Sequence, residues 1–250
     1  DSRQLACNTR PLAVVRRLVP MDGGVPRTVD IPGAVVGGRI WGRSDDEFIF
    51  LDDDGRPWAW SLATGDSTRL TQNPVSERPW WTAQTSPDGR WVAYVKPDEA
   101  GDEQLFLLSL GSGRSRQVTA SRFTIRPTLN WSPDSRTLAF TGVALDGTVD
   151  VWTVPANGGI EARLTHGRGE SYSPQFSPDA SQIAFVRADS SGHRIYVMGA
   201  DGSDPRFLVF GDSPRWSADG ESILYSPRGG LSRNSIYRMP SGGGEPSLLF

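Results

Sequence analysis

The residue types that could carry out catalysis are few in this chain, and they are widely spaced. The two histidines, His166 and His193, stand in the separate stretches Arg163-Leu-Thr-His166 and His193-Arg-Ile195. Neither has a second metal ligand or an acid–base partner at local spacing, so each reads as a polar loop residue. Carboxylates gather at Asp52-Asp-Asp54-Gly55 and at Asp98-Glu99 with Asp102-Glu103. The first group lacks the alternating ligand spacing of a calcium loop and lies between two strand-like runs, which makes it a hairpin turn. The second reads as a solvated loop. No Gly-x-Ser-x-Gly pentapeptide is present, so the strained nucleophile elbow of an α/β serine hydrolase is missing. Cys7 is the sole cysteine, which excludes an internal disulfide. These residues predict a protein without intrinsic catalysis, without a metal and without a cofactor.

Recognition chemistry is better represented. Arginine and aromatic residues interleave in Ser76-Glu-Arg78-Pro-Trp80-Trp81, Ser121-Arg122-Phe123-Thr-Ile-Arg126 and Gly167-Arg168-Gly-Glu-Ser-Tyr172, and arginine recurs in Pro227-Arg-Gly-Gly-Leu-Ser-Arg233. Arginine and large aromatics are favoured interface anchors. Arg78, Trp80, Trp81, Arg122, Phe123, Arg126, Arg168 and Tyr172 are therefore the candidate binding residues, for a protein segment or an acidic ligand. Glu77, Glu170 and Asp212 add carboxylates to the same loops, so a carbohydrate ligand is an alternative. Lys96 is the only lysine among 26 basic residues. That bias fits genomic base composition, although arginine also serves bidentate recognition of carboxylates. The net charge of −3 gives no support for broad electrostatic binding to nucleic acid or anionic lipid. No stretch approaches the roughly 20 apolar residues of a membrane-spanning helix, so no direct membrane insertion is expected.

The elements that position these residues are repeats. One short pattern begins at Asp1, Ser44, Asp88, Asp134, Asp179 and Asp219, each time leading into an apolar run such as Leu138-Ala-Phe140 or Ile183-Ala-Phe185. A period of roughly 45 residues signals one four-stranded propeller blade per repeat. A turn precedes the run, as in Ser132-Pro-Asp134 and Ser177-Pro-Asp179. Proline presets φ there, the aspartate accepts backbone N–H groups, and Gly89 or Gly220 can take the left-handed conformation. A third strand follows at Leu12–Val15, Trp58–Trp60, Leu105–Leu108, Val151–Val154, Ile195–Met198 and Ile236–Met239, and then a glycine turn. A fourth strand ends in Arg69-Leu-Thr71, Gln117-Val-Thr119 or Arg163-Leu-Thr165.

No segment has helical periodicity, and the chain is read as all-β. The expected architecture is a six-bladed β-propeller of four-stranded antiparallel blades in a single domain, with units at about 1–43, 44–87, 88–133, 134–178, 179–218 and 219–250. Only five copies of the first, innermost strand can be counted, so one is missing from the sequence. Because the chain opens at Asp1 within a repeat, further sequence or an additional domain in the full-length protein is expected. Cys7 aligns with Phe50, Tyr94, Phe140, Phe185 and Tyr225, a position expected to be buried in a strand.

Phe176-Ser-Pro-Asp179, Ile183-Ala-Phe-Val186, Ile195-Tyr-Val-Met198, Asp201-Gly202 and Arg163-Leu-Thr165 together resemble the bacterial TolB-like (PD40, WD40-like) propeller repeats. The resemblance runs over essentially the whole chain. It implies a bacterial, extracytoplasmic protein, periplasmic or secreted, acting as a protein-binding or scaffolding module. The same repeats occur beside hydrolase domains in prolyl-oligopeptidase-like peptidases, where they gate substrate entry, and in sugar lyases. The amino-terminal α/β domain of TolB itself has no counterpart in these residues.

Overall fold

The computed structural model describes residues 4–8, 15–20, 27–30, 40–41, 47–51, 56–61, 63–70, 83–120, 123–227 and 235–249. All regular structure among them is β, arranged as six antiparallel sheets in chain order. The first holds three strands, β1 (Gln4–Asn8), β2 (Val15–Pro20) and β3 (Arg27–Asp30). Four strands form the second: β4 (Ile40–Trp41), β5 (Glu47–Leu51), β6 (Pro57–Ser61) and β7 (Ser67–Arg69). The third contains β8 (Gln84–Thr85), β9 (Trp91–Pro97), β10 (Glu103–Ser109) and β11 (Ser115–Gln117). The fourth contains β12 (Phe123–Trp131), β13 (Thr137–Ala144), β14 (Val149–Pro155) and β15 (Ala162–Arg163). The fifth contains β16 (Glu170–Phe176), β17 (Gln182–Asp189), β18 (Gly192–Gly199) and β19 (Arg206–Phe210). The sixth contains β20 (Asp212–Trp216), β21 (Ser222–Ser226), β22 (Tyr237–Pro240) and β23 (Ser247–Leu248).

Each sheet runs in sequence order, the blade pattern expected from the repeat. The three-stranded first sheet agrees with the count of five first strands. One expected strand is described only at its end. The third-strand position at Leu12–Val15 lies largely outside the described residues, and the described strand β2 runs on from Val15 to Pro20. Its register sets Leu5 and Ala6 of β1 opposite Val19 and Leu18. Two arginines in β2 had hidden its apolar pattern. Cys7 does lie in a strand, opposite Arg17.

Packing divides the chain into two compact units: Asp1–Lys96 with Phe106–Arg116, and Pro97–Leu105 with Gln117–Phe250. In the first, Ile49, Ala83, Val92, Tyr94, Phe106 and Leu108 form a core, with Tyr94 stacked on Phe106 at 5.7 Å. In the second, β17 shows how the repeat works. Side chains alternate across a strand, so Ile183 and Phe185 pack with Ala139 and Val151 of the fourth sheet. Ala184 and Val186 pack on the other face with Ile223, Tyr225 and Met239 of the sixth. A strand covered on both faces must be apolar throughout, which is why Ile-Ala-Phe-Val is continuous.

The turns into these strands repeat one hydrogen-bond pattern. Ser132 Oγ donates to Asp134 Oδ1 at 2.6 Å and accepts from the N–H of Thr137 at 2.9 Å, while the N–H of Arg136 donates to the same carboxylate oxygen at 3.0 Å. Ser86/Asp88, Ser177/Asp179 and Ser217/Asp219 repeat it. Gly89 and Gly220 adopt φ of 68° and 73°, as the turn chemistry requires, and Ser135 and Ala180 hold the same conformation at 61°.

Candidate functional site

The first strands of the fourth, fifth and sixth sheets are interrupted at matching places. Their registers shift between Arg126 and Leu129, between Tyr172 and Gln175, and between Asp212 and Arg215. In the last two, Ser173 and Ser213 take positive φ of 55° and 56°, each just before a proline. A β-bulge re-aims the neighbouring side chain, and a left-handed non-glycine residue is strained. These strands lie side by side without forming a ladder. The N–H of Phe176 donates to Asn130 Oδ1 at 2.6 Å, and Trp216 Nε1 donates to the Gln175 carbonyl at 3.0 Å.

The two strained bulges present Tyr172 and Asp212 to His193, which pairs with Ala188 at the β17–β18 end. His193 Nδ1 lies 3.2 Å from Asp212 Oδ2 and also contacts the Tyr172 hydroxyl. That hydroxyl donates to Asp212 Oδ2 at 3.3 Å, and Asp212 Oδ1 accepts the N–H of Ser213 at 2.7 Å. The Tyr172 and His193 rings meet edge to face, 6.0 Å apart and inclined by 76°. The imidazole and carboxylate are 23% and 16% exposed, so solvent reaches the cluster but does not surround it. A carboxylate against Nδ1 favours the tautomer with a proton there and orients the ring. The result is a rigid, polar corner that can donate and accept hydrogen bonds.

Beside it runs the loop from His166 to Glu170. Gly167 and Gly169 have φ of 106° and 94°, and a Cβ on Gly169 would fall 2.6 Å from the Ala188 carbonyl oxygen. Glycine is required at 169 by both conformation and space. Arg168 between them is exposed. Arg187 spans the ends of the loop, donating to the His166 carbonyl and to Ser171 Oγ, each at 3.4 Å. Its guanidinium also lies over Phe185 and Tyr196, 5.6 and 5.2 Å from their centroids. Arg126 reaches across from β12 to Glu170 at 3.0 Å, with both side chains about half exposed.

Of the candidate binding residues, Arg126, Arg168 and Tyr172 are thus brought to one end of the second unit. Tyr172 is half-buried in the polar corner and does not stand out as a projecting anchor. Phe123 opens β12 opposite Ala144, and its side chain lies outside the described residues, as do Arg78, Trp80, Trp81, Arg122 and Glu77. The Asp52–Gly55 group also lies outside them. Asp98 caps the β9–β10 turn, accepting the N–H groups of Ala100 and Asp102. Sequence reasoning did not join His193, Asp212 and Arg187 to Tyr172. The signal was the repeat itself: Tyr172-Ser-Pro-Gln-Phe176 and Asp212-Ser-Pro-Arg-Trp216 occupy equivalent positions. Among the described residues no group of three or more His, Cys, Asp or Glu is placed to hold a metal, and no helix is long and apolar enough to cross a membrane.

Known proteins share this arrangement of strands. A relative from Agrobacterium fabrum, the uncharacterised protein Atu1656, is 27% identical over 185 residues, covering 72% of this chain and 62% of its own. A TolB homolog of Chlorobium luteolum is 33% identical over 133 residues, covering 53% of this chain and 29% of its own. The chain therefore spans less than two thirds of either relative. Among solved structures, a candidate TolB of Agrobacterium tumefaciens superposes with a TM-score of 0.71 at 22% identity, over 90% of this chain and 84% of that one. An oligogalacturonate lyase of Vibrio parahaemolyticus reaches 0.68 at 15% identity, over 99% and 74%. Likeness at this level shows the propeller fold, on which both binding proteins and enzymes are built. Residues 57–249 match the family described as the TolB beta propeller domain, PD40, and the chain belongs to that family.

Proposed function

We propose that this propeller is a non-catalytic binding or scaffolding module, extracytoplasmic like the TolB proteins it resembles, which engages a protein segment or acidic ligand on its loop-rich rim. The observation that carries this reading is the convergence, at one end of the second unit, of exposed Arg168, the exchangeable Arg126–Glu170 pair and the Tyr172–His193–Asp212 corner. An exposed ion pair is worth only about 0–1 kcal/mol, so Arg126 can trade Glu170 for a ligand carboxylate at small cost. The polar corner beside it is held rigid by two strained bulges, which lowers the entropy lost on binding. Arg78, Trp80, Trp81, Arg122 and Phe123 stay candidate binding residues on the sequence alone.

The test is fluorescence anisotropy with labelled Glu- and Asp-rich peptides, using the 250-residue chain and the triple variant Arg126→Ala/Arg168→Ala/Tyr172→Phe. Salt-sensitive binding weakened at least about tenfold in the variant is the expected result. Equal affinity of the two proteins, with folding intact, refutes the reading. A carbohydrate-binding or carbohydrate-active role is the second reading, favoured by the Tyr172–His193–Asp212 corner and by the lyase fold neighbour. Retention of neutral or uronic-acid oligosaccharides, with no response to acidic peptides, would replace the first reading with this one. A substrate-gating role beside a peptidase domain would appear as binding of extended peptides regardless of their charge.

A further inference from the structure

The outermost strand of the fifth sheet differs from its counterparts. β3, β7, β11, β15 and β23 are two to four residues long and, Val29, Asp30, Ala162 and Leu248 apart, are made of Ser, Thr, Arg and Gln. Short, polar edge strands are the usual protection against unwanted strand pairing. β19 is five residues long and reads Arg206-Phe-Leu-Val-Phe210. Among the described residues it has a single sheet neighbour, β18. Phe207 and Phe210 are 47% and 58% exposed.

The exposure is built in. The register of β19 shifts opposite Ile195 and Tyr196, so one extra residue lies between the pairs Ile195–Val209 and Tyr196–Phe207. That bulge changes the alternation of sides, and Phe207 and Phe210, three apart in sequence, meet edge to face at 5.3 Å. Phe207 in turn touches Tyr196 at 5.9 Å, and Tyr196 stacks on buried Phe185 at 5.7 Å. An aromatic ladder thus runs from the core to the open edge. The two arginines nearby are already engaged. Arg206 donates to the Ser241 carbonyl, and Arg194, opposite Phe210, pairs with Asp189.

We propose that β19 is a self-association edge, where two copies of this chain pair their β19 strands antiparallel about a two-fold axis. The sequence is self-complementary in that arrangement. An axis midway between Leu208 and Val209 sets Phe207 of one copy opposite Phe210 of the other, giving two cross-strand aromatic pairs. Arg206, the only charge in the strand, then faces Gly211, so no like charges are opposed. One five-residue strand pair buries less than the roughly 800 Å² per partner of a standard interface, so the dimer is weak and depends on protein concentration.

Sedimentation velocity of the 250-residue chain from about 5 to 500 µM tests this, alongside Phe207→Lys and Phe210→Lys. Both substituted residues are on the surface, and unchanged circular dichroism and Tm establish that the variants fold. The expected result is a dimer that gains on the monomer with concentration, weakened at least about tenfold in each variant. Hydrogen exchange at 500 µM should slow the outward amides of 206–210. A monomer at every concentration overturns the proposal. So does a dimer indifferent to both substitutions, which places the contact elsewhere. Protection of β19 by an added apolar peptide without self-association would also overturn it, assigning the edge to an extended partner segment.

Discussion

Replacing Arg163 by glutamine should cost about 3 kcal/mol, and most of that loss should vanish when Asp150 is replaced by glutamine as well. Asp150 is nearly buried, with its side chain 5% exposed. One oxygen receives Arg163 Nη2 at 2.5 Å and the other the Thr165 hydroxyl at 2.6 Å. Thr165 Oγ1 in turn accepts the N–H of Val151 at 3.0 Å, and Arg163 Nε donates to the Thr165 carbonyl at 3.1 Å. The third sheet builds the same network without charge. There Thr119 donates to Gln104 at 2.7 Å and accepts from the N–H of Leu105 at 2.9 Å, while Gln117 donates to the Thr119 carbonyl at 2.7 Å. Removing one member of a buried ion pair costs about 3–5 kcal/mol because the other charge is stranded. Arg163 is 27% exposed, so water partly replaces it and the low end applies. Asp150→Gln alone leaves a cation that can turn to solvent and should cost about 1–2 kcal/mol. The double variant reproduces the third sheet's set and should cost about 1 kcal/mol, giving a coupling of about 3 kcal/mol. Urea titrations of the four proteins measure it, with hydrogen exchange at Val151 as the local readout. A single-variant cost below about 1 kcal/mol for Arg163→Gln, or costs that simply add, would show that solvent screens the pair and would refute the reasoning.

Two further outcomes follow from the turns and the rim. The Ser hydroxyls, and secondarily backbone N–H groups, hold the carboxyls of Asp134, Asp179 and Asp219 below their ordinary range. A lowered folded-state pKa gives stability that is complete above the unfolded carboxylate value and is lost as pH falls through the depressed value. The urea midpoint should therefore drop with increasing steepness below about pH 4, and less so in Ser132→Ala/Ser177→Ala/Ser217→Ala. Gly169→Ala should destabilise by about 2 kcal/mol or more through the clash with the Ala188 carbonyl, and Gly167→Ala, where a Cβ meets open space, by about 1 kcal/mol from φ alone. Thermal unfolding distinguishes them, and equal losses would refute the geometry assigned to the rim loop.

The strands were legible in the sequence wherever both faces are buried, because Leu138-Ala-Phe140 and Ile183-Ala-Phe185 leave no polar residue to blur the signal. β2 was not, since Arg16 and Arg17 sit inside it and its partner strand alone sets the register. The turn aspartates were read correctly as acceptors, but the serine two residues earlier proved equally involved, accepting an N–H five residues on. Tyr172 was singled out in the sequence as a candidate binding residue. Its partners were not, because His193 and Asp212 are 21 and 40 residues away and only the packing of successive sheets unites them. The bulges that aim Tyr172 and Asp212 leave a single trace, the repeated Ser-Pro after each.

The features that repeat and those that do not answer to different demands. The Ser/Asp turn recurs in four sheets with hydrogen-bond lengths that barely change, and the threonine that closes the outer strand recurs in the third and fourth. Each is satisfied within its own sheet, so any copy can be kept for stability alone. Among the described residues the fifth sheet holds features that its neighbours lack: an imidazole between a phenol and the next sheet's carboxylate, and a long aromatic edge. Neither of them is needed to build a blade, since the fourth sheet forms a complete one without them. Their cost is real, in strained serines and exposed phenylalanines. Departures of this kind, which the blade does not require, single out the fifth sheet, with the Asp212 bulge beside it, as the first target for mutagenesis in testing the proposed binding role.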